Sequence, residues 1–278
     1  MIVDSHHHLW QIGRNDQTWP TADLGAIYRD FAPADLMTDS AGLGVEATIV
    51  VQSQPSETDT LWLLEVAAVT PLIQGVVGWT DLTAAGAVDR IRYLAHQAKF
   101  KGLRPMLQGL SDDAWVLQPA LDAVFAVMTE LRLTFDALVY TRHLGAIETL
   151  ARRWPDLAIV IDHGAKPPLA AADDDQDRAW HDGIATVADQ PNIVCKLSGL
   201  VTEMMPGQDM TRVEVCADHL LASFGPQRLM WGSDWPVVKL RGSYGDWFGW
   251  TRRWLRDKDI TVREQIMGRT AERFYRLS

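Results

Sequence analysis

The stretch VDSHHHLW, residues 3–10, carries His6 and His8 two positions apart in a run that reads as a short strand. Alternate side chains of a strand share one face, so these two imidazoles stand together and His7 turns to the other side. Two histidines at a strand end can begin a metal site or a polar catalytic cluster. A chance run of histidines, or a purification tag, is the plain alternative. A tag would be longer and lie outside the fold, whereas this run is flanked by strand-like Ile2-Val3 and apolar Leu9-Trp10. The pair needs partners further along the chain.

The elements that would supply them alternate. Strand-like runs lie at 3–8, 46–52, 73–79, 100–107, 133–139, 157–163, 193–197 and 229–234. Helical spacing of apolar residues falls at 35–44, 59–69, 87–97, 118–131, 144–154, 177–188 and 211–224, then at 246–256 and 261–275. Eight such β/α units in 278 residues argue a parallel sheet closed into a (β/α)8 TIM barrel, one α/β domain over 1–278. An open doubly wound sheet would more often have five or six strands, and no GxGxxG turn follows any strand. The loop 11–30 has no period, is too long for a plain connector, and reads as a lid or binding loop.

Chemistry in such a barrel sits at the C-terminal strand ends. Those ends carry His6 and His8, Gln52, Trp79 and Asp81, then Arg104, Asp136, Asp162 and His163. Lys196, Ser198, Ser233 and Asp234 complete the set. Ends that only stabilised turns would carry Ser, Thr, Asn or Gly. Asp234, within GSDWP, stands first, with a cap or turn aspartate as its plain alternative. His163 is either part of a site or a hydrogen-bonded core histidine. Lys196, inside an apolar strand, is either paired with a carboxylate or aimed into the pocket as a cation. Arg104 in GLRP falls at the strand mouth, unless it makes a surface salt bridge. His96, His143, His181 and His219 fall on helices or their ends and read as structural.

Composition narrows the partners. With 47% hydrophobic and 22% charged residues, the chain can bury a full core. A net charge of −10 argues against nucleic acid or an anionic membrane. No run reaches the roughly 18 consecutive apolar residues of a membrane helix. The N-terminus enters a strand with no basic region, which argues against a signal peptide. Two cysteines give no disulfide framework and fit a reducing cytoplasm.

DSHHHLW, the Trp-bearing loop, DHGAKP, NIVCKLSGL, FGPQRLMWGSDWPV and the terminal GRTAERFYRL together resemble the amidohydrolase superfamily, and more closely its lactone-hydrolysing branch. CKLSGL and GSDWP are the specific motifs; HxH alone is not. Within the branch the pattern is similar to the sugar-acid lactonases, such as those that act on L-fuconolactone. The resemblance implies a distorted (β/α)8 barrel that opens a ring ester by attack of water, in sugar catabolism.

The chain also departs from the wider superfamily. Strand five offers Asp136 where a histidine is typical, and Lys101 is out of phase for a bridging ligand, so a two-metal centre is not expected. One Zn²⁺ held by His6, His8 and Asp234, with His163 close by, fits by ligand type. A metal-free site fits as well, because some lactonases of the branch work without one. The resemblance implies that Asp234 takes a proton from the attacking water, with Arg104, Lys196 and His163 as candidates to stabilise the oxyanion. Trp10, Trp19, Trp79 and Trp235 would stack on the sugar, and Arg29 would contact it from the loop. Three other readings remain: a mononuclear-zinc amidohydrolase or decarboxylase for a non-sugar substrate, a pyrone or muconolactone-type lactonase, and a sugar-binding barrel without activity.

Overall fold

The computed structural model describes residues 1–170 and 173–277. Eight strands run parallel in chain order: β1 (Ile2–His7), β2 (Val45–Val51), β3 (Ile73–Gly78), β4 (Phe100–Leu103), β5 (Thr134–Ala137), β6 (Ala158–Ile161), β7 (Ile193–Leu197) and β8 (Leu229–Trp231). Helices α1 (Pro33–Asp39), α2 (Glu57–Val69), α3 (Ala87–Ala95), α4 (Asp122–Glu130), α5 (Leu144–Arg153), α6 (Asp174–Ala188) and α7 (Thr211–Phe224) connect them. After β8 come α8 (Tyr244–Trp254), α9 (Ile260–Glu264) and α10 (Thr270–Tyr275). This is the expected (β/α)8 barrel. No helix among the described residues is long and apolar enough to cross a membrane.

Several strands are shorter than their apolar runs. β4 ends before Pro105, which has no N–H for a ladder. β8 ends before Asp234, whose φ of 54° no strand accommodates. The residues released in this way form the mouth. The run at 261–275 is likewise divided, because a π-helical turn over Gln265–Arg269 separates α9 from α10.

β8 and β1 meet without a regular ladder. Asp4 Oδ1 accepts the Ser233 N–H at 2.8 Å, and Ser5 Oγ donates to the Trp231 carbonyl at 2.7 Å. Two backbone bonds complete the closure, Asp234 N–H to His6 O at 2.8 Å and His8 N–H to Trp235 O at 2.7 Å. Tyr244 of α8 braces the join from outside, its hydroxyl donating to Asp4 Oδ2 at 3.0 Å.

The barrel interior is layered. Val3, Ile49, Val77, Val160, Val194 and Met230 form an apolar floor with Tyr275 of α10. The two-residue period then points the next residues inward above that floor: Lys196 two beyond Val194, and Asp162 two beyond Val160. On β1 the register slips between Asp4 and His7 against Thr48 and Val50. This bulge re-aims the strand, so that Val3 faces the floor yet His6 still faces the interior.

Candidate active site

Three imidazoles and one carboxylate converge where β1, β6 and β8 end. His6 Nε2 lies 3.2 Å from His8 Nε2, and His8 Nε2 lies 3.4 Å from Asp234 Oδ1. Asp234 Oδ1 is also 3.9 Å from His6 Nε2 and 3.8 Å from His163 Nε2. The far side of each ring is held. His8 Nδ1 donates to the Val51 carbonyl at 2.8 Å, His163 Nδ1 is 2.9 Å from Ser198 Oγ, and His6 Nδ1 is 3.4 Å from Asp162 Oδ1.

This donor set fits a metal ion. A tetrahedral zinc with bonds of about 2.0–2.2 Å keeps its donor atoms roughly 3.3–3.6 Å apart. Of the separations involving His8, 3.4 Å falls in that span and 3.2 Å just below it, and the wider two exceed it by a few tenths of an ångström. His6, His163 and Asp234 offer ligand atoms all within 4.8 Å of one another. Burial lowers the pKa of His163 to about 4, and burial with the Lys196 charge holds His6 well below its usual value. Neutral rings keep a lone pair for a metal or a proton. Burial pushes Asp234 up, but His163, His8 and Lys166 outweigh it and hold this group below the usual carboxylate range.

Beneath His6 lies a fully buried charged layer. Lys196 Nζ sits 2.7 Å from Asp136 Oδ2, 2.9 Å from Asp162 Oδ1 and 3.1 Å from His6 Nδ1. Tyr275 OH donates to Asp136 Oδ2 at 2.6 Å. Burial raises the Asp136 pKa beyond what Lys196 restores. Asp162 is held well below its usual value despite burial, by Lys196, His6 and Arg104. Arg104 Nη1 is 3.5 Å from both His6 Nε2 and Asp162 Oδ2, and Nη2 donates to the Gln52 carbonyl.

The backbone that aims these groups is unusual. His163, Gly164, Ala165 and Lys166 have φ of 55°, 55°, 58° and 52°, a single left-handed turn. Such residues cost roughly 1–2 kcal/mol each outside glycine and gather at functional sites. The turn brings the His163 ring and the Lys166 ammonium to one cleft of about 170 Å³. Gly199 (φ 63°) lies against them, and a Cβ there would sit 2.4 Å from His163 Nδ1 and 3.1 Å from Asp234 Oδ2.

His8, His163, Arg104, Asp234 and Trp19 line this cleft, and His6 lies at its base. The remaining candidates lie outside the cleft. Lys196 is the paired cation of its two alternatives, sealed under His6 and not aimed into the cleft. Trp10 is buried behind Trp19, with ring centroids 5.5 Å apart, and donates its N–H to Arg29 O. Trp235 is buried against Phe31 with its indole N–H on Asp39; Trp79, whose backbone N–H donates to Thr60 Oγ1, does not line the cleft. Arg29 covers the Phe31 ring at 3.8 Å and pairs with Asp35 outside the mouth. The sequence reading missed Lys166, Gln108, Ser53 and Thr202, which also line the cleft. Lys166 stands in the DHGAKP motif, but only the left-handed turn, which no residue pattern announces, brings it to the cleft.

The amidohydrolase family model matches residues 3–277. An L-fucono-1,5-lactonase of Burkholderia ambifaria is 46% identical over 279 residues, covering 99% of this chain and 95% of that protein. An L-fucono-1,5-lactonase of Burkholderia multivorans is 35% identical, covering 99% and 96%. A crystal structure of a Burkholderia multivorans amidohydrolase with bound zinc superposes with a TM-score of 0.94 at 34% identity, covering all of both chains.

Proposed function

The chain belongs to the amidohydrolase family, and we propose that it hydrolyses a sugar-acid lactone, L-fuconolactone or a close relative, by attack of water on the ring ester. The observation that carries this reading is the Asp234 carboxylate, held deprotonated against three imidazoles in a cleft with two cations, in a chain 46% identical to an L-fucono-1,5-lactonase.

In this mechanism the lactone lies over Trp19 with its carbonyl toward Arg104 and Lys166. Asp234 takes a proton from water, whose oxygen attacks the carbonyl carbon. The charge that develops on the carbonyl oxygen is met by Arg104 and Lys166. Arg104 lines the cleft, and its Nε has no acceptor among the described residues. As the intermediate collapses, the ring C–O bond breaks and the leaving oxygen takes the proton back from Asp234, giving the open hydroxy acid. Asp162 keeps the His6 ring oriented, and Lys196 balances Asp162 and Asp136.

One Zn²⁺ held by His6, His8, His163 and Asp234 would supply Lewis-acid polarisation at the same position. The zinc in the related structure supports this assignment. Both cysteines are free and buried, which supports a reducing, cytoplasmic setting. The net charge of −10 supports a small-molecule substrate over nucleic acid.

The test is proton release in weak buffer with L-fucono-, L-rhamnono-, L-galactono- and D-arabinono-lactones, each against its spontaneous rate, before and after chelation. Acceleration on at least one, reduced about 10²–10⁴-fold in Asp234→Asn, is expected. No acceleration on any of them sinks the sugar-lactone reading.

A further inference from the structure

At the end of the barrel opposite the cleft, a hollow of about 470 Å³ opens between the start of β1, the last turn of α8, and α9. It is larger than the cleft, at about 170 Å³, and falls within the span of small-molecule sites. Its floor is apolar, with Leu255, Met267 and Ile260, the last 59% exposed. Around that floor stand four guanidiniums, Arg252, Arg253, Arg256 and Arg263.

None of the four is in an ion pair with a described carboxylate. Arg252 Cζ lies over the Phe248 ring, at 5.9 Å. The acid on the wall, Glu264, is taken by Arg269 at 2.7 Å. Arg263 Nε is buried and lacks an acceptor among the described residues, an arrangement that costs free energy until an acceptor arrives. Other arginines are occupied, Arg90 by Glu57, Arg92 by Glu130 and Arg153 by Asp122, while Arg228 and Arg241 donate to backbone carbonyls. The C-terminal dipole of α8 accounts for cations at Arg252 and Arg253. It does not account for Arg263, which comes from α9, or for the apolar floor between them.

We propose that this hollow binds a small amphipathic organic anion, its carboxylate or phosphate head held by Arg256 and Arg263 and its apolar body on Leu255, Ile260 and Met267. Guanidinium forks suit such planar oxyanions, and in an acidic chain four unpaired ones form a local positive field. The site is separate from the lactone cleft and needs no contribution from it.

Calorimetric titration of the full chain with octanoate tests this, with acetate and octanol as controls that each lack one half of the chemistry. Octanoate is expected to bind saturably, about tenfold or more weaker in Arg256→Gln/Arg263→Gln, as the loss of a charge-assisted hydrogen bond predicts. Asp234→Asn should bind it unchanged, and the arginine variant should keep its lactone turnover. Arg252→Gln, on the exposed rim, gives a second variant with little risk to folding. The proposal is overturned if octanoate does not saturate at millimolar concentration, if octanol binds equally, or if the double variant binds as well as the native chain. Loss of octanoate binding in Asp234→Asn alone would assign the ligand to the cleft. A dimer that dissociates in the arginine variant, without octanoate binding, would make the face a contact between copies and also overturn the proposal.

Discussion

Lys196 and Lys166 are both cations near the imidazole cluster, yet substitution should separate them. Lys196 neutralises two fully buried carboxylates, so Lys196→Met strands those charges and should cost about 3–5 kcal/mol in urea denaturation. Lys166 is partly exposed and its 3.6 Å contact with Glu203 is loose, so Lys166→Met should change stability by less than about 1 kcal/mol. Its kcat should fall roughly hundredfold, as for a lost oxyanion donor. A Lys166 variant with native turnover would remove it from the mechanism. The sequence singled out Lys196 and passed over Lys166. Lys196 looked exceptional because it interrupts an apolar strand, and the partners that explain it, Asp136 and Asp162, lie 60 and 34 positions away. Lys166 looked ordinary because its approach depends on four left-handed residues.

At the scale of elements, the β7 to α7 connection controls the site through Gly199. Gly199→Ala would press a methyl into His163 and Asp234 on a backbone that disfavours it. Turnover should fall far more than the melting temperature, and near-native activity would show that the contact relaxes freely. The loop 11–30 is tied to α2 by Asp59, which accepts from Asn15 Nδ2 at 3.3 Å and from the Ser53 N–H at 3.4 Å. Burial raises Asp59 to about 6. Its folded pKa therefore exceeds its unfolded value near 3.8, so its contribution to stability is greatest below that value and is lost as pH rises through about 6. The stability of the native chain relative to Asp59→Asn should fall by about 2–3 kcal/mol between pH 4 and pH 7. A pH-independent difference would contradict the shift. Strand identity was legible because β-branched runs such as 46–52 and 157–163 have no other good use. Strand ends were not, since they depend on where Pro105 and the left-handed Asp234 stop the ladder. The tryptophans misled for a related reason: their type announces a pocket wall, but Trp10 and Trp235 are needed to support one.

For the whole molecule, a metal bound at the cluster stabilises only the closed barrel, because its ligands come from three strand ends far apart in sequence. Zinc added after chelation should raise the melting temperature, and His163→Asn should remove most of that rise. Absence of any rise would favour catalysis by the protein groups alone. His6 lies on the first strand, His8 directly follows it and Asp234 follows the last, so the proposed site spans the β8–β1 join. That join is held by Asp4, Ser5, Tyr244 and two backbone bonds in place of a ladder. The enzyme is thus fastened like a bracelet, with its working parts mounted on the clasp. Turnover should vanish at denaturant concentrations where the helices still give their full circular dichroism, because parting the clasp scatters the site while seven of eight strand pairs stay intact.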